Sequence, residues 1–202
     1  MSGSGRHGDL TAAILAGGLA RRFGGRDKAR LLVGGRPILD RLVEAVAPIV
    51  SGVMLVTNDP ARYADIDLPV VGDEVEGAGP LGGLVTALRA SATRRVLALA
   101  CDLPYVESGF LAYLAARAPD ADLVVPRTAD GLHPLCAIYA RGLLPVLETR
   151  LASGRRALVD LAADVRTVEV GPDEVARFDA LGRLLTNVNT PDDYEAALAR
   201  LA

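Results

Sequence analysis

The stretch AILAGGLARRFGGRDK, residues 13–28, decides how this chain is read. It begins inside an apolar run, Ala12 to Leu15, and then breaks into a loop. The loop holds four glycines (Gly17, Gly18, Gly24, Gly25) and four cations (Arg21, Arg22, Arg26, Lys28). Glycine lets the main chain approach a ligand closely and take φ > 0 at little steric cost, and successive bare N–H groups make a concavity that binds anions. A strand running into such a loop presents N–H groups and positive charge to one anion, and a polyphosphate is the expected one. Two better-known phosphate loops do not fit. The P-loop needs Gly-Lys followed by Ser or Thr, whereas Lys28 follows Asp27 and precedes Ala29. The dinucleotide fingerprint G-x-G-x-x-G is not spaced as Gly17-Gly18 and Gly24-Gly25 are. The plain alternative is a surface turn with solvated arginines. Against it stands Lys28, the only lysine in the chain. An ammonium is a compact point charge where a guanidinium is a planar fork, so this position asks for the former.

Composition narrows the class. With 202 residues the chain is long enough for one core and short for two independent domains. Half of it is hydrophobic and 23% is charged, which is the balance of a soluble globular protein. A net charge of −3 and the absence of a basic stripe with interleaved aromatics argue against nucleic-acid binding. Cys101 and Cys136, with His7 and His133, supply neither a disulfide framework nor a zinc spacing. No apolar run approaches the roughly 18 residues of a membrane span. Residues 1–9, MSGSGRHGD, lack a signal-peptide core and read as a flexible tail. The cytoplasm is the expected compartment.

From the loop outward, strand and helix signals alternate. Leu10 to Leu15 is a strand; Pro37 opens a helix whose apolar residues recur at three and four from Leu39 to Val50. Val53 to Thr57 and Pro69 to Val71 are short strands. A second glycine-dense turn, Gly77 to Gly83, leads into a helix carrying Leu84, Val85 and Leu88. Val96 to Ala100 is wholly apolar, as a central strand buried on both faces should be. Helix is expected over 110–116, 143–151 and 157–162, and strand over 123–126, 135–139 and 165–170. Thr190 as cap, Pro191 at the first position and acids in the first turn start a last helix. The alternation predicts an α/β fold: a Rossmann-like, mostly parallel central sheet with helices on both faces, in three α/β/α layers. Residues 10–202 read as a single domain, with a nucleotide-binding half to about 104 and an acceptor-binding half beyond it.

In open parallel sheets the ligand sits beyond the carboxyl ends of the strands. That rule gathers the 16–28 loop, Asn58, Asp73 and Asp102 at one edge. Asp102, directly after a fully apolar strand, is costly unless something positive meets it. Mg²⁺ is the natural candidate, since it takes one or two carboxylates and completes its shell with phosphate oxygens and water. A helix cap is the alternative for Asp102, and a turn residue the alternative for Asp73. Cationic loop, carboxylate-held metal and sheet crevice together point to phosphoryl or nucleotidyl transfer. No Ser-His-Asp or Cys-His set assembles, and Cys101 reads as a small buried hydrophobe.

LAGGLARRFGGRDK resembles the signature loop of nucleotidyltransferases that activate a phosphorylated acceptor with an NTP. Gly79-Pro80-Leu81-Gly82-Gly83, Ala100-Cys101-Asp102-Leu103-Pro104, His133-Pro134-Leu135 and Asn187-Val188-Asn189-Thr190-Pro191 follow in the order seen in one branch. That branch is the molybdenum cofactor guanylyltransferases, and the resemblance runs from about Leu10 to the end. It implies that Leu15, Ala16, Gly17, Gly18 and Lys28 contact GTP, that Arg22 lies near the phosphates, that Asp73 meets the nucleotide and that Asp102 holds Mg²⁺. Arg22, Lys28 and Asp102 form the implied catalytic set. Asn187 and Asn189 match positions on the pterin side. Ungapped alignment puts Val56 where the family can have Asn, and Asn58 is the candidate replacement.

Ala16-Gly17-Gly18, where CTP-using relatives read A-A-G, favours GTP. The implied partners are GTP and molybdenum-molybdopterin, with transient contact to molybdoenzymes or their chaperones, no nucleic acid, no membrane, and a monomer. Within the acceptor half, His133, Arg156, Asn187 and Asn189 are polar turn residues able to line a pterin pocket, Arg156 gripping the acceptor phosphate. For the asparagines, shaping the start of the last helix is the alternative. A sister nucleotidyltransferase and a non-catalytic cofactor-docking module remain the rival functions.

Overall fold

The computed structural model describes residues 7–17, 27–75 and 77–199. Its spine is β1, His7–Leu15, flanked in parallel register by β4, Val50–Thr57, and β6, Arg95–Ala100. Side chains alternate across a strand, and β1 divides its apolar residues accordingly. Leu10, Ala12 and Ile14 pack into one layer, Ala13 and Leu15 into the other, all buried. β6 is buried at every position, as expected of its continuous apolar run.

The first layer is built by α1 (Ile38–Val46), α3 (Ser108–Ala116), α5 (Pro172–Ala176) and α6 (Pro191–Ala199). The second is built by α2 (Pro80–Ala90) and α4 (Leu144–Ala152). The remaining strands are β2 (Leu32–Val33), β3 (Arg36–Pro37), β5 (Val70–Gly72), β7 (Leu123–Thr128), β8 (Gly131–Leu132), β9 (Cys136–Ala140) and β10 (Thr167–Val170). Main-sheet order is β10-β7-β9-β6-β1-β4-β5, with β8 on β7. β9 runs antiparallel to both β6 and β7, while the β1, β4, β5, β6 core and the β7–β10 pair are parallel. This is the three-layer, mostly parallel α/β sheet that the alternation predicts.

Several boundaries differ from the sequence reading, each for a local reason. The strand starts at His7 rather than Leu10, so His7–Asp9 are not tail. The His7 N–H bonds the Ile49 carbonyl at 2.7 Å, and Asp9 pairs with buried Arg95 at 2.8 Å. That ion pair and a backbone bond replace the missing apolar pattern. α1 stops at Val46: Ala47 keeps helical angles (φ −51°, ψ −39°) and its N–H reaches the Val43 carbonyl, but Pro48 has no N–H to extend the ladder, and Val50 opens β4 instead. α2 begins inside the glycine-rich turn, at Pro80, after Gly79 at φ 62° and ψ −149°, a conformation open in practice only to glycine. The segment expected as a helix over 157–162 is a 3₁₀ turn, Val159–Ala163. β2, β3, β8 and α5 are absent from the sequence reading, because they have too few residues to show periodicity. The start of α6 matches its reading: Thr190 Oγ accepts the Asp193 N–H at 3.1 Å, while Asp193 accepts from the N–H groups of Asn189 and Thr190.

β6 carries the sheet's centre, so truncating it tests the core. Leu97 has no exposed surface. Leu97→Ala should lower the unfolding free energy by about 2–5 kcal/mol, read as a lower midpoint in urea.

Candidate active site

The chain leaves β1 for β4 on one side and returns to β6 on the other, so a crevice opens where the strand order reverses. The carboxyl ends of β1, β4, β5 and β6 all discharge into it. The resulting cleft has a volume of about 590 Å³. Leu15, Ala16 and Gly17 come from the end of β1, Asn58 from β4, Asp73 from β5, and Cys101 and Asp102 from β6. Lys28 and Asn189 enter from loops distant in sequence. Gly18 and Arg22, both expected here, lie outside the described residues.

Asp102 is the centre of the polar contacts. Its Oδ2 accepts from Lys28 Nζ at 3.2 Å and its Oδ1 from Asn187 Nδ2 at 2.6 Å, while its main-chain carbonyl accepts from the Val188 N–H at 2.9 Å. Lys28 Nζ also donates to Asn189 Oδ1 at 2.8 Å. Asp102 caps no helix, since α3 begins six residues on at Ser108. The positive partner that its burial calls for is the lone lysine. Lys28 is held in turn by Asp27, whose Oδ1 accepts the Ala29 N–H at 3.0 Å and starts a 3₁₀ turn over Lys28–Arg30.

Asp73 is both cleft wall and turn residue. Its Oδ1 accepts from the Val75 N–H and from Thr86 Oγ, each at 3.1 Å. Thr86 is buried on α2 and also accepts the Glu74 N–H. Gly82 makes room: a Cβ there would lie 2.8 Å from Ala78 Cβ and 3.3 Å from Asp73 Oδ1. Val56 is buried beneath the cleft floor, so the exposed amide at this strand end belongs to Asn58.

The acceptor candidates separate. Asn187 and Asn189 meet the Asp102–Lys28 pair directly. Arg156 donates to the Gly77 carbonyl at 2.7 Å, at the rim of the cleft. His133 stands apart, on the turn after β8, with Nε2 2.8 Å from Thr128 Oγ. Burial lowers its pKa from the ordinary imidazole value. Burial first, then the Asp102 and Asp27 carboxylates, push the Cys101 thiol up to about 12, which suits a core residue and not a nucleophile.

Three residues escaped the sequence reading. Asp27 and Arg62 line the cleft, and Thr86 braces Asp73 from a helix. Asp27 sat inside the quoted loop, and Arg62 lies just past the end of β4, where the strand-end rule points. Nothing in the sequence singles out Thr86.

The donor set suits a phosphate-bridged divalent cation rather than a protein-caged one. Among the described residues no three His, Cys, Asp or Glu side chains cluster to hold a metal. Asp102 offers a carboxylate, and Asp27 has a buried Oδ2 that accepts no hydrogen bond and has the Arg30 guanidinium 3.8 Å away. Mg²⁺ is commonly bound in this way, through one or two carboxylates with phosphates and water completing the shell. No helix among the described residues is long and apolar enough to cross a membrane.

Fold and cleft together define a Rossmann-like α/β protein with a polar cleft at the switch point of its sheet. The model of the MobA-like NTP transferase domain matches residues 12–168. A probable molybdenum cofactor guanylyltransferase of Carboxydothermus hydrogenoformans is 36% identical, over 94% of this chain and 95% of its own. A molybdenum cofactor guanylyltransferase of Rhodopseudomonas palustris is 40% identical, over 92% and 89%. The crystal structure of molybdopterin-guanine dinucleotide biosynthesis protein A from Archaeoglobus fulgidus shares the fold, with a TM-score of 0.81 at 24% identity over 94% of this chain and 97% of that one. The chain belongs to the MobA-like nucleotidyltransferases, in the branch of the molybdenum cofactor guanylyltransferases.

The position of His133 yields a pH test. Its folded-state pKa is depressed, so below about pH 6.5 the unfolded chain takes up the proton first. The stability that neutral His133 contributes is complete above that pH and declines as pH falls toward the folded pKa. Denaturant midpoints at about pH 8 and about pH 5.5 should therefore differ less in His133→Gln than in wild type.

Proposed function

We propose that the protein transfers GMP from GTP to the terminal phosphate of molybdenum-molybdopterin, giving the guanine dinucleotide cofactor and pyrophosphate. The observation that carries this reading is the meeting, at Asp102, of the lone lysine from the nucleotide loop and the Asn187–Asn189 segment from the chain's far end. A phosphate oxygen of the acceptor attacks the α-phosphorus in line. The bond from that phosphorus to the oxygen bridging to the β-phosphate breaks, and pyrophosphate leaves with the bonding pair. Catalysis of this kind rests on positioning and charge neutralisation.

The chain's own residues divide those tasks. Leu15 to Gly18 bring the main chain close to the nucleotide, and Lys28 and Arg22 offset charge on the α-phosphate and the departing pyrophosphate. Asn58 and Asp73 contact the nucleoside. Asp102 holds a divalent cation, Mg²⁺ in this reading, whose contribution when bound is to neutralise phosphate charge. Asn187 and Asn189 present amides to the pterin, and Arg156 at the rim is placed for the acceptor phosphate. His133, committed to Thr128, takes no part in the transfer. The nucleotide half thus extends to about residue 104, and the remainder supplies the acceptor side of a single domain. The enzyme works as a cytoplasmic monomer and passes its product to molybdoenzymes or their chaperones in transient contacts.

Pyrophosphate release with molybdenum-molybdopterin and each of the four NTPs tests the reaction. GTP should support turnover and CTP should not; turnover with CTP alone would make this a cytidylyltransferase. Asp102→Asn should lose on the order of 100-fold or more in kcat while still folding, read as a cooperative melting transition. Thr86→Val, which removes the hydroxyl bracing Asp73, should raise KM for GTP with little change in kcat, and Thr86→Ser should restore it. Losing one such hydrogen bond corresponds to roughly 3- to 10-fold.

A further inference from the structure

All three oxygens of Asp102 accept a hydrogen bond from the protein. Lys28 holds Oδ2, Asn187 holds Oδ1, and the Val188 N–H holds the main-chain carbonyl. Lys28 simultaneously donates to Asn189. Residues 187–189 are thereby clasped to the strand end at three consecutive positions, through one carboxylate and one ammonium. In this clasped state one Asn187 amide N–H and the Asn189 amide oxygen are engaged by the protein.

A divalent cation on the Asp102 carboxylate competes with the Lys28 ammonium for Oδ2 and repels it, since the two like charges would meet in a partly buried site. The ammonium has three donors and no acceptor, so once displaced it finds its partner in nucleotide phosphate oxygens. Its departure leaves Asn189 Oδ1 without that donor, and a cation on the carboxylate draws charge from the oxygen that Asn187 uses and weakens that bond. A guanidinium would not serve equally, since its planar fork is shaped for bidentate contact with one planar anion. The two contacts of Lys28, to a carboxylate of β6 and an amide of the 187–189 segment, give the chain's only lysine a reason beyond charge.

We infer that Lys28 and Asp102 are positioning residues for the acceptor segment. Seating the cation and nucleotide opens the clasp and turns the Asn187 and Asn189 amides over to the acceptor. This rests on the guanylyltransferase reading and adds an order to it: nucleotide first, acceptor second. Because coupling between two binding events is reciprocal, the acceptor also tightens nucleotide binding.

Two measurements on the full chain test the inference. In the first, hydrogen exchange across residues 187–190 is followed with Mg²⁺ and a GTP analogue bearing an α,β-methylene bridge, without acceptor. Exchange should accelerate in wild type. In Lys28→Met it should already be fast and should not respond at saturating analogue. In the second, molybdenum-molybdopterin is titrated with and without the same analogue. Wild-type affinity should rise by about 5-fold or more, and Lys28→Met and Asn189→Ala should each lose that gain. Exchange that stays unchanged when the analogue binds, or acceptor affinity that is equal with and without it, overturns the clasp and leaves the transfer reaction standing. Failure of the acceptor to bind under either condition overturns the acceptor assignment and the clasp with it.

Discussion

The carboxylate of Asp102 is where the two ends of this chain are tied together. It lies at the mouth of the most buried strand, where an isolated charge would be costly, and it is satisfied by groups from residues 28 and 187. Neither partner is close to it in sequence. The ion pair is only partly shielded, with 22% of the Lys28 side chain and 13% of the Asp102 side chain exposed. That degree of exposure suits a contact meant to be exchanged for a ligand: buried enough to need a partner, open enough for the partner to change. Surface pairs such as Arg30–Asp65 and Arg127–Glu169 are well formed but exposed, and contacts of that kind contribute little.

Everything that brings Asp102 to this place is a matter of register. β1 is hydrogen-bonded in parallel to β4 and β6, with Leu15 opposite Val56 on one side and Ala100 on the other. Both faces of β1 and β6 are packed into apolar layers, so the register is held by the paired ladders and by the fit of side chains into two close-packed cores. The cleft floor inherits that rigidity. The Ala16 N–H is fixed by the Val56 carbonyl, and the Cys101 N–H by the Leu15 carbonyl. The antiparallel β9 adds a tie from the second half, where the Leu135 carbonyl accepts the Ala100 N–H at 2.8 Å.

The second wall depends on α2. Starting the helix at Gly79-Pro80 brings Gly82 beside the cleft without a side chain, where Ala78 and Asp73 occupy the space a Cβ would take. Thr86, one turn further, takes the inner oxygen of Asp73. Of the glycines in this glycine-dense stretch, Gly82 is thus a packing requirement of the helix, letting the Asp73 carboxylate approach it.

Much of this was legible beforehand. Strand and helix alternation, the buried run ending in Asp102, the anion-seeking loop and the importance of the lone lysine all follow from local chemistry: apolar periodicity reports burial, and a charge after an apolar strand reports a partner. The motif string carried the family. What the sequence could not express is which groups meet. That Lys28 reaches Asp102 and Asn189, that His7–Asp9 join the sheet through Arg95, that His133 turns to Thr128, and that Thr86 braces Asp73 are contacts over separations that no periodicity records. They are chosen by the strand order and the two packed layers, because only the assembled sheet brings the ends of β1, β4, β5 and β6 to one edge and lays the 187–189 segment across them.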